Sequence, residues 1–195
     1  MTKRNTLCFV SSNSYKFREF RRLFLRHGIH LDHVDIPIPE IQTFNMNTII
    51  RDKVVKAYRE LGQPLMVDHS GLAMTALNDL PQGLNKQFWE ILKDKVCYLA
   101  TELHDNGASI LVSLGFCDGY RIHTVDQRDP GRIATRPSPK GPFHLDRVFI
   151  PQGSSKTVAE MSAHERDSFS YRRKAFDRAL ELLKPLALGK ELGLR

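Results

Sequence analysis

Long apolar runs are missing from this chain. None approaches the roughly 18 residues that a membrane-spanning helix needs, so a transmembrane protein is not expected. The basic start Met1-Thr2-Lys3-Arg4-Asn5 has no long apolar segment behind it, which argues against a secretory signal. Cysteine is scarce. Cys8, Cys97 and Cys117 are odd in number, scattered, and without metal-ligand spacing, and so read as reduced core or near-core residues of a cytoplasmic protein. Internal repeats and low-complexity segments are absent, and so is the glycine fingerprint of dinucleotide-binding folds. What remains is a globular chain of 195 residues, one domain or two lobes sharing a core. Its excess of 29 basic over 22 acidic residues favours an anionic partner. Arg18, Arg21, Arg22 and Arg26 form one basic cluster, best read as a solvated helix face, and Arg172, Arg173 and Lys174 another.

The stretch around which the rest is organised is Leu65-Met66-Val67-Asp68-His69-Ser70-Gly71-Leu72. Three apolar residues predict a short buried strand, with ionisable residues and a Ser-Gly turn at its end. In open α/β sheets function collects at such ends, where an Asp can hold a hard metal ion or orient a water. A locally capped turn is the plainer alternative. Upstream, Leu7–Val10 predicts a strand. Ser11 to Ser14 offer helix caps, and Phe17, Phe20, Leu23 and Phe24 mark one stripe of a helix ended near Gly28. A strand entering a helix through small polar residues makes either an anion site, with Lys16 in the first turn, or a simple N-cap. Leu31 to Ile38 predicts a second strand and Thr48 to Leu61 a second helix. Lys53 lies beside that helix's apolar stripe, placed to snorkel or to reach a cleft. The β-α-β-α-β order gives an α/β beginning.

Beyond Leu72 the extended chain continues through Ala73 to Leu80, and Pro81-Gln82-Gly83 breaks it. Short helices follow around Phe88–Leu92 and Val96–Leu103. Asp118-Gly119 between Ser109–Phe116 and Tyr120–Gln127 is a strong hairpin signal, and suggests an antiparallel lobe inserted in the α/β part. Asp129-Pro130-Gly131 and the segment 137–142 read as loops around a short strand at Arg132-Ile133-Ala134. A strand at Val148–Ile150, a short helix at Glu160-Met161 and a long helix from near Ser170 to Leu183 complete the chain. The tail 185–195 carries no clear signal.

The order of these pieces resembles the inosine triphosphate pyrophosphatase family, whose members cleave deaminated purine nucleoside triphosphates to monophosphate and pyrophosphate. Ser12-Asn13 with Lys16 and Glu19, Pro39-Glu40-Ile41-Gln42, Arg51-Asp52-Lys53 and Asp68-His69-Ser70-Gly71-Leu72 carry the likeness. Gly131-Arg132-Ile133, Lys156 to Met161 and Ser170-Tyr171-Arg172 continue it, from about Leu7 to Leu183. The resemblance implies a single domain over 1–195: an elongated two-lobed α/β fold with a twisted mixed sheet, flanking helices and a central nucleotide-binding cleft, usually as a homodimer. It implies Mg²⁺ held by Glu40 and Asp68. Asn13, Lys16 and Lys53 then face the phosphates, Phe143 and Asp146 belong to the base pocket, and Arg172 approaches the 6-oxo edge of the purine. Ser12, Ser70, Gly71, Arg166 and Tyr171 complete the implied nucleotide-binding set.

Departures from the family pattern fall at the catalytic centre. Among the candidate catalytic residues Asp68 and His69, His69 stands where a second acid is usual, and imidazole is a poor Mg²⁺ ligand. Leu145 replaces the Trp of Phe-Gly-Trp-Asp, so an aromatic base platform is lost. Arg166 and Asp167 replace Lys-Asn, and Tyr171 replaces a His. The expected protein is a catalytically impaired dITP/ITP sensor that signals to a partner effector, in a setting such as bacterial defence. The alternative is an active house-cleaning pyrophosphatase with His69 tolerated or used as base. A nucleic-acid binder has only the charge in its favour and lacks a recognised module.

Overall fold

The computed structural model describes residues 6–139, 141 and 144–187. Phe143, expected in the base pocket, lies outside the described residues. The chain begins as a parallel α/β unit: β1 (Thr6–Val10), α1 (Ser14–Leu25), β2 (His30–Val34), α2 (Met46–Leu61) and β3 (Leu65–Met74). Strand β1 pairs parallel with β2 on one side and with the start of β3 on the other. The second strand is shorter than expected because β1 offers partners only from His30 to Val34. Residues 35–45 then run without regular structure, through Pro37 and Pro39. Helix α2 starts at Asn45, whose side chain accepts from the Thr48 N–H, and ends at Gly62 in the left-handed region (φ 61°).

The expectation of a turn after Val67 is corrected. Strand β3 runs through Asp68, His69, Ser70 and Gly71 to Met74, because β5 (Gly107–Cys117) pairs antiparallel with it along its whole length. On its other edge β3 meets β1 only at Leu65 and Met66, and β4 (Pro81–Gln82) only at Leu72 and Ala73. Between those contacts lies an edge that no strand of the described residues pairs with, and it holds Asp68 to Gly71. The strand end that opens the crevice is therefore that of β1. Gly71 is needed where β4 crosses, since a Cβ there would lie 2.4 Å from the Gln82 carbonyl oxygen.

Beyond β4 come α3 (Asn85–Leu92) and α4 (Lys95–Glu102), then the expected hairpin of β5 with β6 (Ile122–Ile133). Asp118 Oδ1 closes its turn by accepting from the N–H groups of Tyr120 and Arg121. Asp129-Pro130-Gly131, expected as a loop, lies inside β6, paired with β5 and with β7 (Phe149–Pro151) beyond α5 (His144–Val148). The antiparallel strands extend the same sheet, in the order β2-β1-β3-β5-β6-β7. Mixed α/β architecture with flanking helices is as expected. Helix α6 (Ala163–Phe169) was not foreseen, and α7 (Tyr171–Ala187) starts after it. Helices α1 and α7 cover one face of the sheet through Phe20, Phe24 and Phe176, while α2 covers the other through Ile50 and Val54. All three cysteines are buried and free.

Candidate nucleotide site

Period-two alternation along β3 divides the site between two layers. Met66 and Leu72 pack in the core beneath α1 and α7, and Leu65 and Val67 in the core beneath α2. Asp68 and Ser70 share the first face, and His69 the second. Asp68 is 1% exposed. Its Oδ2 accepts from Lys16 Nζ at 2.8 Å and lies 3.5 Å from Ser70 Oγ. Its Oδ1 is buried without a hydrogen-bond partner among the described residues. On the other face Lys53 Nζ donates to Glu40 Oε1 at 2.7 Å and to the Asp68 carbonyl at 3.1 Å. That one ammonium links Glu40 to the β3 backbone, and the Lys53 side chain is held largely out of solvent beside the cleft.

His69 is held from both sides. Its Nε2 lies 3.3 Å from the Gly83 carbonyl and its Nδ1 3.4 Å from Glu40 Oε1. Both partners are acceptors. Burial raises the Glu40 pKa, but the His69 hydrogen bond and Lys53 outweigh it and hold the carboxyl far below its ordinary range. Asp68 is likewise pushed up by burial, and Lys16, Lys53 and Arg172 bring it below the ordinary value. Lys16 is also lowered, by burial first and by Arg172 and Lys53, against the pull of Asp68. The two members of the pair shift downward for different reasons: burial outweighs the pull of Asp68 on Lys16, and the surrounding cations outweigh burial on Asp68.

At the start of α1 the capping geometry is plain. Asn13 Oδ1 accepts from the N–H groups of Tyr15 and Lys16, while Ser12 is exposed. Asn13, Lys16, Glu40, His69 and Ser70 line a cleft of about 530 Å³, within the range of small-molecule sites. Helix α3 supplies its other wall, with Asn85 and Trp89, and α5 adds Leu145. A part for α3 in the site was not expected; a lone Trp one turn after a polar Asn-Lys start was the available signal.

Asp146, Arg166, Tyr171 and Arg172 are brought together, but beside this cleft rather than in its described lining. Tyr171 Oη donates to Asp146 Oδ1 (3.1 Å), and the Arg172 guanidinium sits 4.9 Å from the Tyr171 ring. Glu19 joins this cluster to α1, accepting from Arg172 (2.7 Å) and from Ser170 Oγ (2.9 Å). Burial raises the Asp146 carboxyl despite Arg172 and Tyr171, and raises the Tyr171 phenol. Arg166 donates to the Met161 carbonyl from α6. That helix was legible after all, through the Ser162…Glu165 capping box.

No group of three or more metal-ligating side chains occurs among the described residues. Glu40 and the partnerless Oδ1 of Asp68 still fit Mg²⁺, which is commonly held by one or two carboxylates together with substrate phosphates. No helix among the described residues is long and apolar enough to cross a membrane.

The profile of the Ham1 family matches residues 7–182. The dITP/XTP pyrophosphatase of Methanopyrus kandleri is 30% identical to this chain, over 93% of it and 98% of the relative. The inosine triphosphate pyrophosphatase of Giardia intestinalis is 32% identical over 91% and 92%. Among solved structures, the nucleoside-triphosphatase / dITP/XTP pyrophosphatase of Mycobacterium abscessus matches with TM-score 0.70 at 25% identity, covering 90% of this chain and 98% of that one. The Ham1 protein of Staphylococcus aureus matches in fold with TM-score 0.76 at 20% identity, covering 92% and 98%.

Proposed function

The chain belongs to the Ham1 family, and from that premise we propose that its cleft binds a deaminated purine nucleoside triphosphate with Mg²⁺ and hydrolyses it slowly, as a sensor does. Lys16 and Lys53 supply the cations a triphosphate needs, and each is parked on a carboxylate until phosphate displaces it. Glu40 and Asp68 would hold the ion, which when bound polarises the phosphate and gathers the attacking water. Asp146, Arg166, Tyr171 and Arg172 serve the base side, where Arg172 favours a 6-oxo purine because it only donates. A homodimer and a partner effector that reads the bound state belong to the same proposal.

The observation that carries slow turnover is His69. It sits beside Glu40 where the family resemblance expects a second acid, and its Nε2 is turned to the Gly83 carbonyl rather than free to take a proton from water. The same contact to Glu40 favours the second reading, in which a carboxylate orients His69 as general base of an active pyrophosphatase.

Pyrophosphate release at saturating dITP, with Mg²⁺ and again with Mn²⁺, separates the two. The expected result is clear thermal stabilisation by dITP with little release, and a rise of at least about tenfold in release for His69→Asp, since one positioned acid/base group contributes on the order of 10²–10⁴. Relative-like turnover by the unmodified protein overturns the sensor reading and makes His69 the base.

A further inference from the structure

The cleft combines charged and apolar walls. Lys16, Glu40 and His69 stand along α1, the segment before α2 and β3, Lys86, Glu90 and Lys93 along and just after α3, and the largest apolar groups, Trp89 and Leu145, come from α3 and α5. A nucleoside triphosphate joins a polyanion to a flat heteroaromatic base and calls for both kinds of wall. Leu145 leaves the α5 wall aliphatic, whereas Trp89 on α3 is half-buried and lines the same space. Its indole N–H is occupied within the helix, donating to Asn85 Oδ1 at 3.0 Å one turn earlier. Phe88 packs against it edge-on, with ring centroids 6.0 Å apart at 86°. The ring is thus held in place with its polar atom satisfied, and carbon surface is what it presents to a ligand.

From this placement we infer that Trp89 is the aromatic platform for the nucleotide base, a binding role carried by α3 in place of the aromatic side chain that Leu145 does not supply. The inference rests on the cleft being the nucleotide site. Stacking on an indole depends on the extent of the base rather than on its hydrogen-bonding edge. Trp89 therefore selects for a purine over a pyrimidine, and leaves discrimination between hypoxanthine and adenine to polar groups elsewhere.

Trp89 is the single tryptophan of the chain, so its fluorescence reports directly on this contact. The experiment is a titration of the unmodified protein in Mg²⁺ with dITP, dCTP and inorganic tripolyphosphate, with thermal shift read in parallel. Saturable quenching by dITP is expected, with weaker quenching by dCTP. Tripolyphosphate stabilises the protein without quenching. Trp89→Phe keeps dITP affinity within about threefold, whereas Trp89→Ala loses roughly 10- to 100-fold while the ITP-to-ATP affinity ratio stays unchanged. Stabilisation by dITP with unchanged Trp89 fluorescence overturns the platform and leaves the nucleotide reading intact. An ITP-to-ATP ratio that collapses in Trp89→Ala overturns its edge-blind role. Absence of any stabilisation by dITP or tripolyphosphate overturns the nucleotide reading, and the platform falls with it.

Discussion

Replacing Lys16 by Met tests the electrostatic account of the site most directly. Methionine keeps the length and bulk of the side chain, so the change removes the charge and leaves little cavity. It strands the Asp68 carboxylate, 1% exposed, with Ser70 Oγ left at 3.5 Å from Oδ2. Breaking a buried ion pair on one side costs about 3–5 kcal/mol. Two features place this case at about 3 kcal/mol: Lys53 and Arg172 still act on Asp68, and Lys16 no longer has to be desolvated. For a chain of this size that lowers Tm by about 6–12 °C. The sign of the pH dependence follows. In the parent, Asp68 has a folded-state pKa below its ordinary 3.8, so its contribution is present above that value and is lost as pH falls through the folded pKa. In Lys16→Met the acid protonates more readily, so the gap between the proteins is widest near neutrality and narrows as pH falls through the variant's folded pKa towards the parent's lower one. Lys16→Met/Asp68→Asn removes both charges and should return to within about 1 kcal/mol of the parent. Thermal unfolding of all three at pH 7 and pH 4 is the assay. A Tm for Lys16→Met within 2 °C of the parent at pH 7 would refute the argument (against the roughly 6 °C minimum expected).

Because Glu40 and Asp68 each hold a lysine, MgCl2 alone should shift Tm no more than NaCl at matched ionic strength, whereas MgCl2 with dITP should exceed dITP alone. A Mg²⁺-specific shift without nucleotide would show that the carboxylates are already free for metal. Glu19→Gln weakens the shared acceptor of Ser170 and Arg172 and should cost about 1.5–3 kcal/mol, together with reduced ITP-over-ATP preference by calorimetry. Parent-like stability and preference would remove Glu19 as the tie between α1 and α7.

Local signals carried much of this site. The β1–α1 junction, the cap at Asn13 and the placement of Lys16 in the first turn all follow from residues adjacent in the chain. Lys53 was legible because it borders the apolar stripe of α2 and so had to lie near a boundary. Asp68 was singled out for a strand end that belongs to β1 instead. The reason is that β3's length is set by β5, some forty residues later, and no local pattern reports that pairing. The same holds for Glu19, whose partners Ser170 and Arg172 arrive from the far end of the chain. Helix α6 was missed although its capping box stands in the sequence, because the apolar periodicity used to find helices is weak in Ala163–Phe169. Phe143 falls outside the described residues and is neither placed nor displaced by the structure.

The one-sided pairing of β3 has a bearing on how such a site changes over time. Its backbone from Asp68 to Gly71 pairs with β5, while on the opposite edge the described residues place the cleft rather than a neighbouring strand. Side chains there are released from the demand to complete a ladder on that side. A carboxylate can give way to an imidazole at position 69 with the strand's register untouched, provided nearby acceptors such as Glu40 and the Gly83 carbonyl take up the new donors. Chemistry can thus be lost, or regained, one residue at a time on a frame that does not notice, and a lineage can pass between cutting a nucleotide and merely holding it without refolding.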